Sequence, residues 1–315
     1  MNTTQNKFIN REISWLKFNQ RVLQEANDST VPLIERIRFL GIFSNNLDEF
    51  YKIRYATVKR IAVSFNTGKK IYRDRTAKEL LNEITKKAID LQQKSFKILA
   101  QIIKLLENEK IFFINEKSLH TNQIKYAQEY FFEKVSPSLG VIVLNNFRKL
   151  PKFKENISIL LVSMELRNKT IQNSIIHIPK DLDRFVELPS KGSNRYIMMV
   201  DDLIRYHLND IFKIFKPIAI QANMIKISRD AELDFDDDIS KSFLDKIAQS
   251  VKERSSGDPV RFIYDSDIRL DSLKFLLNKM QIDDETDSII PGGKYHNRRD
   301  YMKFPSLNKI NLLYK

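Results

Sequence analysis

Roughly the first 110 residues place apolar side chains at helical spacing. Trp15, Phe18 and Val22 share one face of a first helix, with Ser14 as its expected cap. Asn27-Asp28-Ser29-Thr30 breaks that pattern, and Pro32 suits the first turn of a second helix carrying Leu33, Ile37 and Leu40. Gly41 and Phe43-Ser44-Asn45-Asn46 follow. A third helix is expected to open at Asp48 and Glu49, whose carboxylates favour a helix N-terminus, and to bury Phe50, Ile53, Thr57 and Ile61. Gly68 with Lys69 and Lys70 reads as a turn. The clearest periodicity runs from Thr76 to Lys110. Ala77, Ile84, Leu91, Ile98 and Leu105 recur every seven residues, with Leu81, Ala88, Ser95 and Ile102 between them. That predicts a long helix with a narrow seam, packed inside an antiparallel bundle rather than in a free-standing zipper.

After Glu109 the texture changes to short strands and helices. Strands are expected at 111–114, 141–144, 157–166, 174–178, 185–188, 224–228 and 260–264. Helices are expected at 123–134, from Asp201 to about 212, at 239–254 and at 266–280. The order lacks the strict alternation of a doubly wound sheet, so the class is α+β: an all-α N-terminal helical domain (1–108), then an α+β head domain with a mixed sheet (109–315). There is no internal repeat.

Composition narrows the chemistry. Hydrophobic residues make up 42% and charged residues 30% of 315, close to ordinary globular usage. Seven glycines, and neither a dinucleotide-binding nor a P-loop glycine pattern, mean that any phosphate is held by other means. The absence of cysteine excludes disulfides and thiolate metal sites and fits a reducing cytoplasm. No apolar run is long enough for a signal peptide or a membrane span, so a cytoplasmic protein touching membranes at most peripherally is expected. The net charge of +13 attracts polyanions: nucleic acid, anionic lipid, nucleotides or a phosphate polymer. A lysine-rich composition also produces such an excess without any ligand.

Asn45 and Asn46 lie beside an apolar wall of Phe39, Leu40 and Phe43. An amide both donates and accepts, so it can pair with an adenine edge. It can equally cap a helix, and the residues alone leave both readings open.

The stretch Phe8–Ala26 (FINREISWLKFNQRVLQEA) and the stretch Pro32–Ala56, with Ser-Asn-Asn-Leu-Asp-Glu-Phe at its centre, resemble the opening of the long, phosphohistidine-using bacterial polyphosphate kinases. Met224–Asp234, Pro259–Phe262, Pro291–Asn297 and Asp300–Pro305 resemble later stretches of that family, so the likeness covers essentially the whole chain in family order. It implies reversible transfer of the terminal phosphate of ATP to the end of polyphosphate, with magnesium. It also implies two phospholipase-D-like catalytic domains beyond a helical domain and a head domain associated with dimer contacts. The second asparagine of the block, Asn46, would contact the ATP base, with Phe39 and Leu40 as the adenine wall.

The chain ends at Lys315, about where the first such catalytic domain would begin. The phosphohistidine and the magnesium ligands are therefore expected beyond that point, and no ATP–polyphosphate transfer is expected of this chain alone. His120, His177 and His207 are read as surface, strand and helix residues, and His296 as part of a structural turn. Arg298-Arg299 departs from the family, which more often has an aromatic residue first. Asp234–Asp238 could bind magnesium or favour a helix N-terminus, the latter preferred. Arg229, Asp230 and Glu232 suggest an internal salt-bridge network, and Lys69, Lys70, Arg73 and Arg75 a polyphosphate route or a solvated loop. The competing readings are a basic nucleic-acid-binding module and a helical dimerisation module built on Thr76–Lys110.

Overall fold

A computed structural model describes residues 9–64, 70, 75–145, 158–190, 192–230, 259–282 and 288–314. The expected helix at 239–254, the acidic run Asp234–Asp238, Glu232, Gly68, Lys69 and Arg73 lie outside these residues.

The chain opens with α1 (Arg11–Asn27) and α2 (Leu33–Glu49). The cap of α1 is Asn10, not Ser14: its side-chain oxygen accepts from the amides of Glu12 and Ile13. That moves the buried face to Ile13, Leu16, Leu23 and Ala26 and leaves Phe18 56% exposed. Arg36 of α2 closes the far end of α1 by donating to the carbonyls of Ala26 and Asn27. Pro32 is the N-cap of α2, one position ahead of the expected first turn, and Gly41 does not end the helix. The helix runs on through both asparagines, passes into a π-helical segment (Phe50–Tyr55), and continues as α3 (Ala56–Ser64). Burial here falls on Phe50, Tyr51, Tyr55, Ala56 and Val58, while Ile53 is 41% exposed. The wider π turn is the reason: it rotates the register away from that of an uninterrupted α-helix.

Gly41 is inside the helix because another piece of backbone lies against it. A Cβ there would come within 2.3 Å of the Met302 amide nitrogen. The crossing piece is a 3-10 turn (Arg299–Lys303), followed by Phe304, whose carbonyl accepts from Arg38.

The long α4 (Ala77–Asn108) opens with a reciprocal capping box between Thr76 and Glu79. Its buried row is Leu80, Ile84, Ala88, Leu91, Ser95, Leu99, Ile102 and Leu106, while Leu105 is 39% exposed. Counted from buried Ala77, the row steps by about 3.6 residues on average, the period of an ordinary α-helix rather than the 3.5 of a heptad seam. Its apolar face is covered by α1, α2 and α3 within the same chain.

Two mixed sheets follow. Strand β1 (Ile111–Ile114) runs parallel to β6 (Arg195–Met199), which pairs antiparallel with β5 (Phe185–Leu188). The larger sheet has the order β2-β4-β3-β7-β8-β9, formed by Gly140–Val143, Ile171–Ile178, Ser158–Glu165, Ala219–Arg229, Pro259–Asp265 and Ser288–Gly292. It is antiparallel except for the β8–β9 pair. Strand β3 is buried on both faces, which is why it reads as a continuous apolar run. Leu160, Val162 and Met164 meet a core with α5 (Thr121–Tyr130), α6 (Val200–Tyr206) and α7 (Leu208–Ile211). Ile159 and Leu161 meet another core with α8 (Leu270–Met280). The helical core also takes in Ile111, Ile197, Met199, Tyr301, Phe304, Leu307 and Leu312.

Candidate functional site

Helix α2 carries two polar features on opposite sides, since a step of two residues turns an α-helix by about 200°. On one side, Asn46 donates through Nδ2 to Asn19 Oδ1 at 3.2 Å. Asn19 is fully buried and donates in turn to the Phe43 carbonyl at 3.1 Å. One turn earlier on α1, Trp15 stacks on Phe50 with ring centroids 5.1 Å apart. Asn46 is half-buried, and its Oδ1 takes no partner among the described residues. Phe39 lies seven residues back, hence on nearly the same face, and is half-buried. Leu40 is fully buried in the helical core and exposes no surface to a ligand in this conformation. Asn46 and Phe39 thus share a face, and Leu40 lies behind it. The asparagines sit mid-helix, so neither is an N-cap.

On the other side, Asp48 is buried between Lys226 of β7 and Arg261 of β8, each 2.5 Å away. Burial works to raise the carboxyl's pKa, but the two neighbouring cations outweigh it and hold it below the ordinary carboxylate range. Burial depresses the Lys226 ammonium, and Asp48 opposes that only in part. The Arg261 guanidinium lies over the Tyr51 ring at 4.0 Å and donates to Ser228 Oγ at 3.1 Å. This triad ties the end of α2 to the centre of the large sheet.

A cavity of about 210 Å³ opens beside it. Its walls come from Asp48 and Lys52 of the helical layer, Ser158 of β3, Ile178–Lys180 at the end of β4, Arg184, Lys226–Ser228 of β7, and Asn297–Lys303. Arg184 is held by buried Asp201 at 2.5 Å and lies 3.4 Å from Asp300. Asn297 donates to Ser158 Oγ at 2.8 Å.

The chain matches the description "Polyphosphate kinase N-terminal domain" over residues 8–114 and "Polyphosphate kinase middle domain" over residues 122–304. The second match alone covers more than half of the sequence. The chain belongs to the polyphosphate kinase family. It is 38% identical to the polyphosphate kinase of Escherichia coli strain K12 across 98% of its own length and 45% of that protein. It is 39% identical to the polyphosphate kinase of Vibrio parahaemolyticus, covering 43% of it. The crystal structure of a polyphosphate kinase from Porphyromonas gingivalis superposes with a TM-score of 0.78 at 28% identity, over 98% of this chain and 42% of that one. The chain therefore spans less than half the length of the polyphosphate kinases it matches.

Other residues singled out in the sequence fall as follows. His296 is buried, with Nδ1 3.0 Å from the Gly293 carbonyl, closing the expected turn. Burial, reinforced by the charge of Lys226, lowers its pKa to about 3, so it is neutral. His120 is an exposed residue before α5, His177 is half-buried on β4 between two paired strands, and His207 is buried against Phe131 at 4.1 Å. Asp230 pairs with Arg60 of α3 at 2.5 Å, and Arg75 pairs with Glu83. Among the described residues no three His, Asp or Glu side chains gather where they could hold a metal ion. None of the described helices is long and apolar enough to cross a membrane. The sequence reading missed the Asp48–Lys226–Arg261 triad. Its signal was a lone cation inside each of two apolar strands, Ile225-Lys226-Ile227 and Val260-Arg261-Phe262, since a cation is buried only with a partner.

Proposed function

We propose that this chain supplies the nucleotide-base end of an enzyme that reversibly transfers the terminal phosphate of ATP to the end of polyphosphate. Family membership supports the reaction class. The observation that carries the base contact is the Oδ1 of Asn46, unpaired among the described residues, on a half-buried face where the Asn46 amide is held by Asn19. In this reading Asn46 accepts from the adenine amino group, Phe39 flanks the ring, and Leu40 backs Phe39 from the core. ATP or ADP and polyphosphate are the proposed substrates, and magnesium accompanies the nucleotide on ligands outside the described residues. The division near residue 108, self-association through the head part, and a cytoplasmic setting belong to the same proposal. No nucleic-acid partner is proposed.

The test is calorimetric titration of the chain with ATP and AMP, beside Asn46→Ala. Losing one neutral hydrogen bond predicts binding weaker by about three- to tenfold for both nucleotides. Equal affinity in the variant, or an adenine ring located away from residue 46, removes the assignment.

A further inference from the structure

The cavity has a composition that the base-binding corner does not explain. Six cations line it, Lys52, Lys180, Arg184, Lys226, Arg299 and Lys303, against the carboxylates of Asp48 and Asp300. Both carboxylates are engaged, Asp48 by Lys226 and Arg261, and Asp300 by Arg184. Counting the outer partners Arg261, Glu49 and Asp201 as well still leaves seven cations against four carboxylates. Lys180, Arg299 and Lys303 form no ion pair among the described residues.

The neutral polar groups point the same way. The Ser158 and Ser228 hydroxyls each accept one hydrogen bond, from Asn297 and Arg261, and neither hydroxyl has an acceptor for its own hydrogen among the described residues. The wall therefore offers donors to whatever enters. Its cations stand on separate pieces of backbone, namely the π-helical segment, the chain after β4, β7 and the 3-10 turn. Like charges gathered around one space repel, and an anion in that space relieves the repulsion. At about 30 Å³ per water the volume equals roughly seven waters, room for more than a single small ion. Among the described residues no aromatic side chain lines it, so a base finds nothing in them on which to stack.

We propose that this cavity is a binding site for an inorganic oligophosphate, separate from the nucleotide-base corner. The two sites face opposite sides of α2, Asn46 toward α1 and Asp48 toward the sheet. The inference deepens the phosphotransferase reading, on which its biological sense rests, while its chemistry stands on the cavity alone.

The experiment titrates the 315-residue chain with tripolyphosphate, and separately with AMP, by calorimetry at two salt concentrations. It compares Arg299→Ala/Lys303→Ala, Lys180→Ala, and Lys78→Ala/Lys104→Ala, a control pair on exposed positions of α4. Circular dichroism melts confirm folding, and Lys180→Ala, at an exposed position, keeps the test open if the double variant unfolds. The double variant is expected to weaken tripolyphosphate about tenfold or more, Lys180→Ala about threefold, and the control pair less than about twofold. AMP binding is expected to stay unchanged in all three. Equal weakening in the control pair, no saturable binding by the parent chain, or easier displacement by a single-stranded RNA oligonucleotide than by longer polyphosphate overturns the proposal. A parent chain that binds tripolyphosphate but not AMP refutes the base reading and supports this one.

Discussion

Replacing Gly41 with valine tests how the helical layer is joined to the cavity. A Cβ at this position meets the Met302 nitrogen at 2.3 Å, Met302 Cγ at 2.8 Å and the Tyr301 carbonyl carbon at 2.9 Å. Two of these three atoms are backbone, so no side-chain rotation clears the clash, and α2 or the 3-10 turn has to retreat by about 1 Å. Detaching the turn is the costlier route, because Tyr301 and Phe304 are each 1% exposed and burying such a side chain contributes about 1.5–3 kcal/mol. The chain is therefore expected to stay docked and strained. Overpacking of this kind costs about 1–3 kcal/mol, with backbone contacts at the upper end. Valine recovers only about 0.4 kcal/mol of helix propensity over glycine, because β-branching limits its gain. The net loss is about 2–3 kcal/mol, equivalent to a melting temperature lower by roughly 4 °C or more. Thermal and urea unfolding followed by circular dichroism measures it. Because Arg299, Asp300, Met302 and Lys303 line the cavity, the retreat should also weaken tripolyphosphate binding. A variant that melts within a degree of the parent would mean that the turn does not cross α2 here.

Three further outcomes are expected. Asp48→Asn leaves Lys226 and Arg261 without their shared carboxylate and should cost about 3–5 kcal/mol, whereas Glu49→Gln, at a half-exposed pair, should cost under about 1 kcal/mol; comparing urea midpoints separates them. Since folding holds the Asp48 carboxyl below its unfolded value near 3.9, its contribution is in place above that pH and fades as acid approaches the lower folded value. His296 acts in a different window: neutral when folded, with a pKa of about 3 against an ordinary 6.5, it makes stability fall by about 1.4 kcal/mol per unit below pH 6.5. The urea midpoint should thus drop between pH 7 and 5, and His296→Gln should flatten that slope; an unchanged slope refutes the assignment. Asn19→Ala removes the donor to the Phe43 carbonyl and frees the Asn46 amide, so AMP affinity should fall together with about 1–3 kcal/mol of stability. An Asn19→Ala chain that binds AMP like the parent would show that Asn46 needs no such support.

Much of the architecture is legible in the sequence, because its signals are local. The start of the long helix at Thr76, the break at Asn27–Thr30 and the apolar strand cores each depend on a few neighbouring residues. What the sequence hid depends on partners far along the chain. Gly41 reads as a helix end because only a segment some 260 residues later explains it as an interior contact. Strand β6 runs directly into α6 with no turn residue between Met199 and Val200, so one element masks the other. The heptad in α4 approximates the observed row, and the two differ by one residue at Leu81 against buried Leu80, Ile98 against buried Leu99 and Leu105 against buried Leu106. For the candidate site, Asn46 and Phe39 were visible as a pair of residue types, but the support from Asn19 is a contact across 27 residues. The cavity was not visible at all, since its cations come from strands and turns that only the fold gathers.

Helix α2 is one stiff rod with Asn46 on one flank and Asp48 on the other. Any ligand that tilts or tightens the rod from one flank alters what the opposite flank presents. Thermodynamic linkage then fixes the exchange: whatever factor oligophosphate imposes on nucleotide affinity, the nucleotide returns to oligophosphate unchanged. A donor and an acceptor of the same phosphate would in this way sense each other through a single turn of backbone.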